Sequence, residues 1–218
     1  MFDSLKRLFG KKEARARFTE EECERHYELK KQGLEKVLGE MYDLVGHAVI
    51  PFQIGGAVDM YYFPNSVDGT GFATMELIEP DGSGPRPSRI GTYELVAFTK
   101  HGIGDKADKD AFEQISRRMC GILTTVGRYA HETRLNPRET AEVPVDGDKP
   151  HCCLMFDEYR KPGVDFMIGS RKHGLLLVMD VFRSEMEYAM NNGTQIVLDR
   201  LKERGYYPYS DLDREPVF

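Results

Sequence analysis

The sequence predicts an α+β fold: a mixed, largely antiparallel β-sheet packed with helices and carrying an N-terminal helical extension. Apolar residues recur at three-or-four spacing in several long segments, and period-two or wholly apolar runs punctuated by turn residues mark strands between them. The two kinds of segment do not alternate strictly, which favours α+β over a doubly wound sheet. Residues 1–46 read as the helical extension and 47–218 as the α+β domain.

The composition agrees with this class. The chain has 218 residues, 40% hydrophobic and 30% charged, with 12 Phe, 11 Tyr and 10 Met, enough apolar material for a sizeable core. Its longest apolar run, Leu175 to Met179, stops at Asp180, far short of the roughly 20 residues a spanning helix needs. Met1 to Lys12 breaks Phe2, Leu5, Leu8 and Phe9 with charges, so no signal-peptide apolar region is present and a cytoplasmic location is expected. Asp and Glu (36) exceed Lys and Arg (30), giving a net charge of −6. That excess argues against nucleic acid as the main partner and favours a basic one.

Taken in order, Lys6, Arg7, Lys11, Lys12, Arg15 and Arg17 crowd a short amphipathic arm in which Glu13 opposes them. The arm reads as a helix docked on its own domain, a frayed terminus, or a membrane-surface or partner-binding segment. Thr19 can cap the next helix, Glu22 can close a capping box, and Phe18 can staple to Cys23. Cys23, Tyr27, Leu34, Val37, Leu38, Met41, Leu44 and Val45 keep helical spacing, and Gly46 is placed to end it. From Ala48 the period becomes two. Val58 to Phe63 and Phe72 to Ile78 read as a hairpin across Pro64-Asn65-Ser66 and Asp68-Gly69. A loop at 80–87 precedes a third strand, Tyr93 to Phe98.

Asp108 is a candidate cap for a second long helix with Phe112, Ile115, Met119, Ile122, Leu123 and Val126 on one stripe. After a turn-rich stretch from Asn136 to Pro150, strands are expected at Cys152 to Phe156, Val164 to Ile168 and Leu175 to Phe182. Lys161-Pro162-Gly163 and Lys172-His173-Gly174 are read as the turns between them. Ser184-Glu185-Met186-Glu187 reads as a capping box for a last helix ending at Gly205.

Chemical signatures are sparse. The chain lacks a nucleophile elbow, a phosphate-cradling glycine loop, a dinucleotide fingerprint and a His-Glu-x-x-His pair. His151 and Cys153 fall on one side of a strand while Cys152 takes the other, but no second spaced ligand pair accompanies them, so the four cysteines read as reduced thiols. Asp180 lies inside an apolar strand and must be paired; Arg183 is the neighbouring candidate. Asp59 alternates onto the wetter face beside Tyr61, Tyr62 and Phe63, of which Tyr61 and Phe63 share one side. Exposed rings of that kind would offer interface anchors, while buried ones would be core.

Asp59-Met60-Tyr61-Tyr62-Phe63-Pro64, then Gly71-Phe72-Ala73-Thr74-Met75-Glu76-Leu77-Ile78, then Tyr93 to Phe98 resemble the suppressor-of-fused domain. So do Leu175 to Phe182, Glu185, Tyr188-Ala189, Gly193 and the closing Asp211-Leu212-Asp213-Arg214. The resemblance spans roughly 45–218. It implies a non-enzymatic protein-binding fold that needs no cofactor or metal, whose animal members sequester a transcription factor and whose bacterial members are proposed immunity proteins against a toxin. The length leaves no room for the second domain of the animal proteins, so a stand-alone bacterial type is implied, with an acid surplus suited to a basic toxin domain. Asp59, Tyr61, Tyr62, Phe63, Glu76, Asp180 and Glu185 are the candidate partner-binding residues. Two other classes remain open: a small enzyme or ligand-binding protein using Asp59, Tyr61 or the His151 region, and a peripheral membrane adaptor anchored through Phe2 to Lys12.

Without spaced ligand pairs the fold should need neither metal nor disulfide. Chelation and reduction are expected to leave the melting transition unchanged; stoichiometric zinc, lost together with stability in His151→Ala or Cys153→Ala, would contradict this.

Overall fold

The computed structural model describes residues 18–104, 109–144 and 151–218. The basic arm, the candidate cap Asp108 and the end of the turn-rich stretch lie outside them. Helix α1 spans Glu20–Leu38, and its start is the expected capping box: Thr19 Oγ1 accepts the Glu22 N–H while Glu22 accepts the Thr19 N–H at 2.8 Å. The helix ends well before Gly46. Gly39 takes φ 92°, and the chain then turns so that the Tyr42 amide bonds the Tyr62 carbonyl, drawing Met41, Leu44 and Val45 out of the helical register.

Eight strands follow: β1 (Val45–Gly46), β2 (Met60–Phe63), β3 (Thr70–Ala73), β4 (Tyr93–Thr99), β5 (Thr140–Val143), β6 (Cys152–Glu158), β7 (Phe166–Ile168) and β8 (Arg171–Val181). They form one sheet in the order β1-β2-β3-β4-β8-β6-β5, with β7 also paired to β8. β4 and β8 run parallel and every other pairing is antiparallel. Helix α2 (Lys109–Glu132) precedes β5, while α3 (Arg183–Asn192) and α4 (Thr194–Glu203) follow β8.

The central strands are buried on both faces, so β4, β6 and β8 read as near-continuous apolar runs. Alternation divides them between two cores. Tyr61, Phe63, Val96, Phe98, Leu175 and Leu177 face α1, α3 and α4; Met60, Tyr62, Leu95, Leu154, Leu176 and Val178 face α2. Helix–sheet–helix layering is the result. Gly33 is what lets α1 approach β7, since a Cβ there would sit 2.1 Å from the Met167 carbonyl oxygen.

Several elements depart from the sequence expectation, each for a local reason. Lys172-His173-Gly174 is strand, not turn: the reversal falls at Gly169-Ser170, where Gly169 has φ 61°, and β8 begins at Arg171. β3 ends at Ala73 because residues 74–78 turn away to follow the Glu94 carboxylate described below. The last helix is two, broken at Gly193 with φ 99°. Its cap is not Ser184: the helix starts at Arg183, and Glu185, as third helical residue, accepts the Phe182 N–H at 3.0 Å. Thr140–Val143, inside the turn-rich stretch, supplies edge strand β5.

Three ion pairs, each with a buried carboxylate, tie the layers together. Lys30 on α1 is 1% exposed, and its Nζ lies 2.8 Å from Glu94 Oε1 while donating to the Met75 and Ile78 carbonyls at 2.6 and 2.7 Å. Glu94 in turn accepts from Thr74 Oγ1 (2.7 Å), the Ile78 amide (3.0 Å) and the Leu77 amide (3.3 Å). Glu185 receives both Arg214 nitrogens at 2.6 and 2.8 Å and the Val217 amide at 2.9 Å, pinning the C-terminal segment. Asp180 pairs with Arg118 of α2, on the face that alternation assigns it, while Arg183 goes to Glu142 instead.

Breaking a buried pair strands an uncompensated charge, so Lys30→Met should lower stability by about 3–5 kcal/mol. The double variant Lys30→Met with Glu94→Gln should cost less than the two single changes summed, as read by urea unfolding. Additive costs would mean the pair is not coupled.

Candidate functional site

The residues that hold α1 to the sheet also shape a groove of about 570 Å³ along it. One wall is the first half of α1, which presents Glu20, Cys23 and Glu24; the other is the segment around Glu76, Glu79 and Asp59. Tyr27, Tyr61, Met75 and Ile78 form its apolar base, with the Tyr27 and Tyr61 rings 6.1 Å apart. Among the described residues no lysine or arginine lines it. Its imidazole, His26, meets the Ile78 carbonyl at 2.8 Å, and burial followed by the charge of Lys30 lowers its pKa, favouring the neutral ring.

Lys30 lies immediately behind this groove, yet its charge is taken up by Glu94 and two carbonyls. Glu76 therefore receives little compensation. Burial, then the neighbouring Glu94 charge, push its pKa up to about 8, against the Met75 amide it accepts at 3.1 Å. Its other oxygen accepts the Asp59 amide at 3.2 Å. Asp59 is half-buried and accepts the Ala48 amide at 2.8 Å, with His47 Nδ1 also at 2.8 Å. This ties the groove to the loop 44–54, where Leu44, Ile50 and Ile54 are exposed and Val49 is 100% exposed.

Of the residues singled out by sequence, the groove gathers Asp59, Tyr61 and Glu76. The other four lie elsewhere. Tyr62 is buried against α2 with its hydroxyl 3.1 Å from Ser116, Phe63 is core, and Asp180 and Glu185 sit in the buried ion pairs. None of the three rings at 61–63 exceeds 7% exposure, so the strand presents no aromatic anchor at the surface. His151 is exposed, 3.4 Å from Glu142, whereas Cys153 is buried and its thiol pKa raised by burial. Among the described residues no group of three or more His, Cys, Asp or Glu is disposed to hold a metal ion, and no helix is long and apolar enough to cross a membrane.

Two features of the site escaped the sequence reading. Glu20 and Glu24 are four apart and stand three residues before Cys23 and Tyr27 respectively, so they border the apolar stripe on one helix face, a signal that was readable. Loop 44–54 was not, because Leu44 and Val45 continue the helical spacing of α1 and the run Val49-Ile50-Pro51-Phe52 looks like core.

No family model matches the chain, and no curated protein does. A solved structure does: a chain of the Sufu-Fu complex crystal structure superposes with a TM-score of 0.57 at 17% identity, covering 90% of this chain and 92% of that chain. At this identity the likeness establishes the fold: it is the α+β class that the residue periodicities predict, in the suppressor-of-fused-like form that the resemblance of residues 59–98 and 175–214 implied.

A carboxyl that keeps its proton in the folded state while the unfolded chain loses it near pH 4.5 makes unfolding release a proton between about pH 4.5 and 8. Glu76 thus contributes a loss of stability as pH rises through that window, with no contribution to the slope below or above it. Glu76→Gln should flatten this part of the stability profile and be more favourable relative to wild type at pH 8 than at pH 4.5. Equal pH dependence in the two proteins, by denaturant unfolding, would contradict the shifted acid.

Proposed function

We propose that the chain is a non-enzymatic binding domain that sequesters a basic partner protein, in the manner of an immunity protein neutralising a toxin domain. The observation that carries this reading is the continuity of two surfaces. The acidic groove, with its apolar base, runs through Asp59 into a loop bearing Val49, Ile50 and Ile54 in the open. An exposed apolar patch bordered by charge is the usual composition of a protein-recognition surface. Asp59, Tyr61 and Glu76 serve the groove directly. Tyr62, Phe63, Asp180 and Glu185 act from behind it by fixing the sheet and the segments packed on it. The fold adds support, since the similar chain of known structure was solved in a complex with Fu.

Purification from the native host with mass spectrometry should recover a basic protein partner in stoichiometric amount. Its association rate should fall with added salt, because acidic residues steer the encounter. Val49→Asp together with Ile54→Asp should weaken binding about tenfold or more, equivalent to ~1.4 kcal/mol, with the melting temperature unchanged. Recovery of no partner, alongside turnover of a small molecule abolished by Asp59→Asn, would overturn the reading.

A further inference from the structure

We propose that residues 1–17 of the chain dock into the acidic groove in cis, as a self-supplied basic ligand that a partner must displace. The displacement rests on the reading of the groove as a partner site; the docking itself does not.

Three observations converge on this occupant. The first is charge. Lys6, Arg7, Lys11, Lys12, Arg15 and Arg17 oppose only Asp3 and Glu13 in the arm, whereas the groove offers the carboxylates of Glu20, Glu24, Asp59 and Glu79, with no lysine or arginine on its walls among the described residues. The second is apolar content. Phe2, Leu5, Leu8 and Phe9 are side chains of the kind that the groove base of Tyr27, Tyr61, Met75 and Ile78 would cover. The third is the point of attachment. The arm ends at Arg17, two residues before the Thr19 cap, and Glu20, the first residue of α1, is already part of the groove wall.

Reach is no obstacle, because 17 residues extend about 25 Å even when helical and farther otherwise. Tethering raises the local concentration of the arm to the order of millimolar, so a weak charge-driven contact suffices to keep the groove occupied until a tighter ligand arrives. Loop 44–54 would remain uncovered and free to make the first contact with a partner, whose own basic segment then replaces the arm.

The full chain tests this by zero-length carbodiimide coupling in an equal mixture of isotopically light and heavy protein. Links from Lys6, Lys11 or Lys12 to Glu76 or Glu79, confined to single molecules and reduced several-fold in Arg7→Gln with Arg15→Gln, are expected. Links joining light to heavy chains would assign the arm to a second copy and overturn docking in cis, as would lysine links that avoid the groove. A second measurement uses a fluorescent synthetic peptide of residues 1–17. It should bind a full-length variant carrying Arg7→Gln, Lys11→Gln, Lys12→Gln and Arg15→Gln about tenfold tighter than wild type, whose own arm competes. Equal affinity for both proteins, or binding to neither, would overturn the proposal. Either result leaves the partner reading standing, since that is decided by co-purification and by Val49 and Ile54.

Discussion

Glu94 is a carboxylate near the start of β4 with no access to water, and the arrangement of one whole side of the molecule follows from satisfying it. Its two oxygens take a lysine from α1, a threonine hydroxyl and two backbone amides from the segment after β3. An ion of this kind is costly to bury and is tolerated only when its hydrogen-bonding capacity is filled. Filling it requires α1 to lie across β7 with Gly33 against the Met167 carbonyl, and requires residues 74–78 to leave the sheet and wrap the carboxylate. Both walls of the groove are therefore consequences of one buried pair.

The same pair sets the groove's electrostatics. Lys30 lies behind its floor, but the lysine's three donors go to Glu94 and to the carbonyls of Met75 and Ile78, leaving none for the groove acids. Glu76 responds by holding its proton, and His26 by staying neutral. The surface so formed is acidic at the rim and apolar at the base, preorganised by interactions that lie behind it and do not have to change when a ligand binds. On the far side of the sheet, Asp180–Arg118 performs the corresponding task for α2, and Glu185–Arg214 holds the C-terminal segment down. The structural charges lie behind the sheet faces, and Val49, Ile50 and Ile54 stand exposed beside the groove rim.

The order and type of the main elements were legible in the sequence because period and punctuation are local. The capping box at Thr19, the stripe on α2 and the apolar runs of β4, β6 and β8 each announce themselves within a few residues. What was illegible depended on partners distant in the chain. Asp180 has Arg183 three residues away, yet alternation puts it on the α2 face, where Arg118, 62 residues earlier, meets it. Lys30 breaks the apolar stripe of α1 and looks like a solvated position until Glu94 is seen opposite it. Tyr61, Tyr62 and Phe63 look like a ligand-binding run, but helices cover both sheet faces, so alternation buries every ring. Asp59, Tyr61 and Glu76, named together among the candidate residues, line one groove, and α1 residues that no local pattern connects to them complete it.

The central claim, that the Glu94 carboxylate locks the groove wall in place, is tested most directly by native-state hydrogen exchange at the Leu77 and Ile78 amides of the full-length protein. These amides lie outside any strand, and an ordinary connecting segment would exchange by local opening. If they serve Glu94, they should exchange as slowly as the β4 and β8 amides, with the protection of global unfolding, and lose that protection selectively in Lys30→Met. Exchange at the rate of an exposed loop in the wild-type protein, with the sheet still protected, would contradict the account.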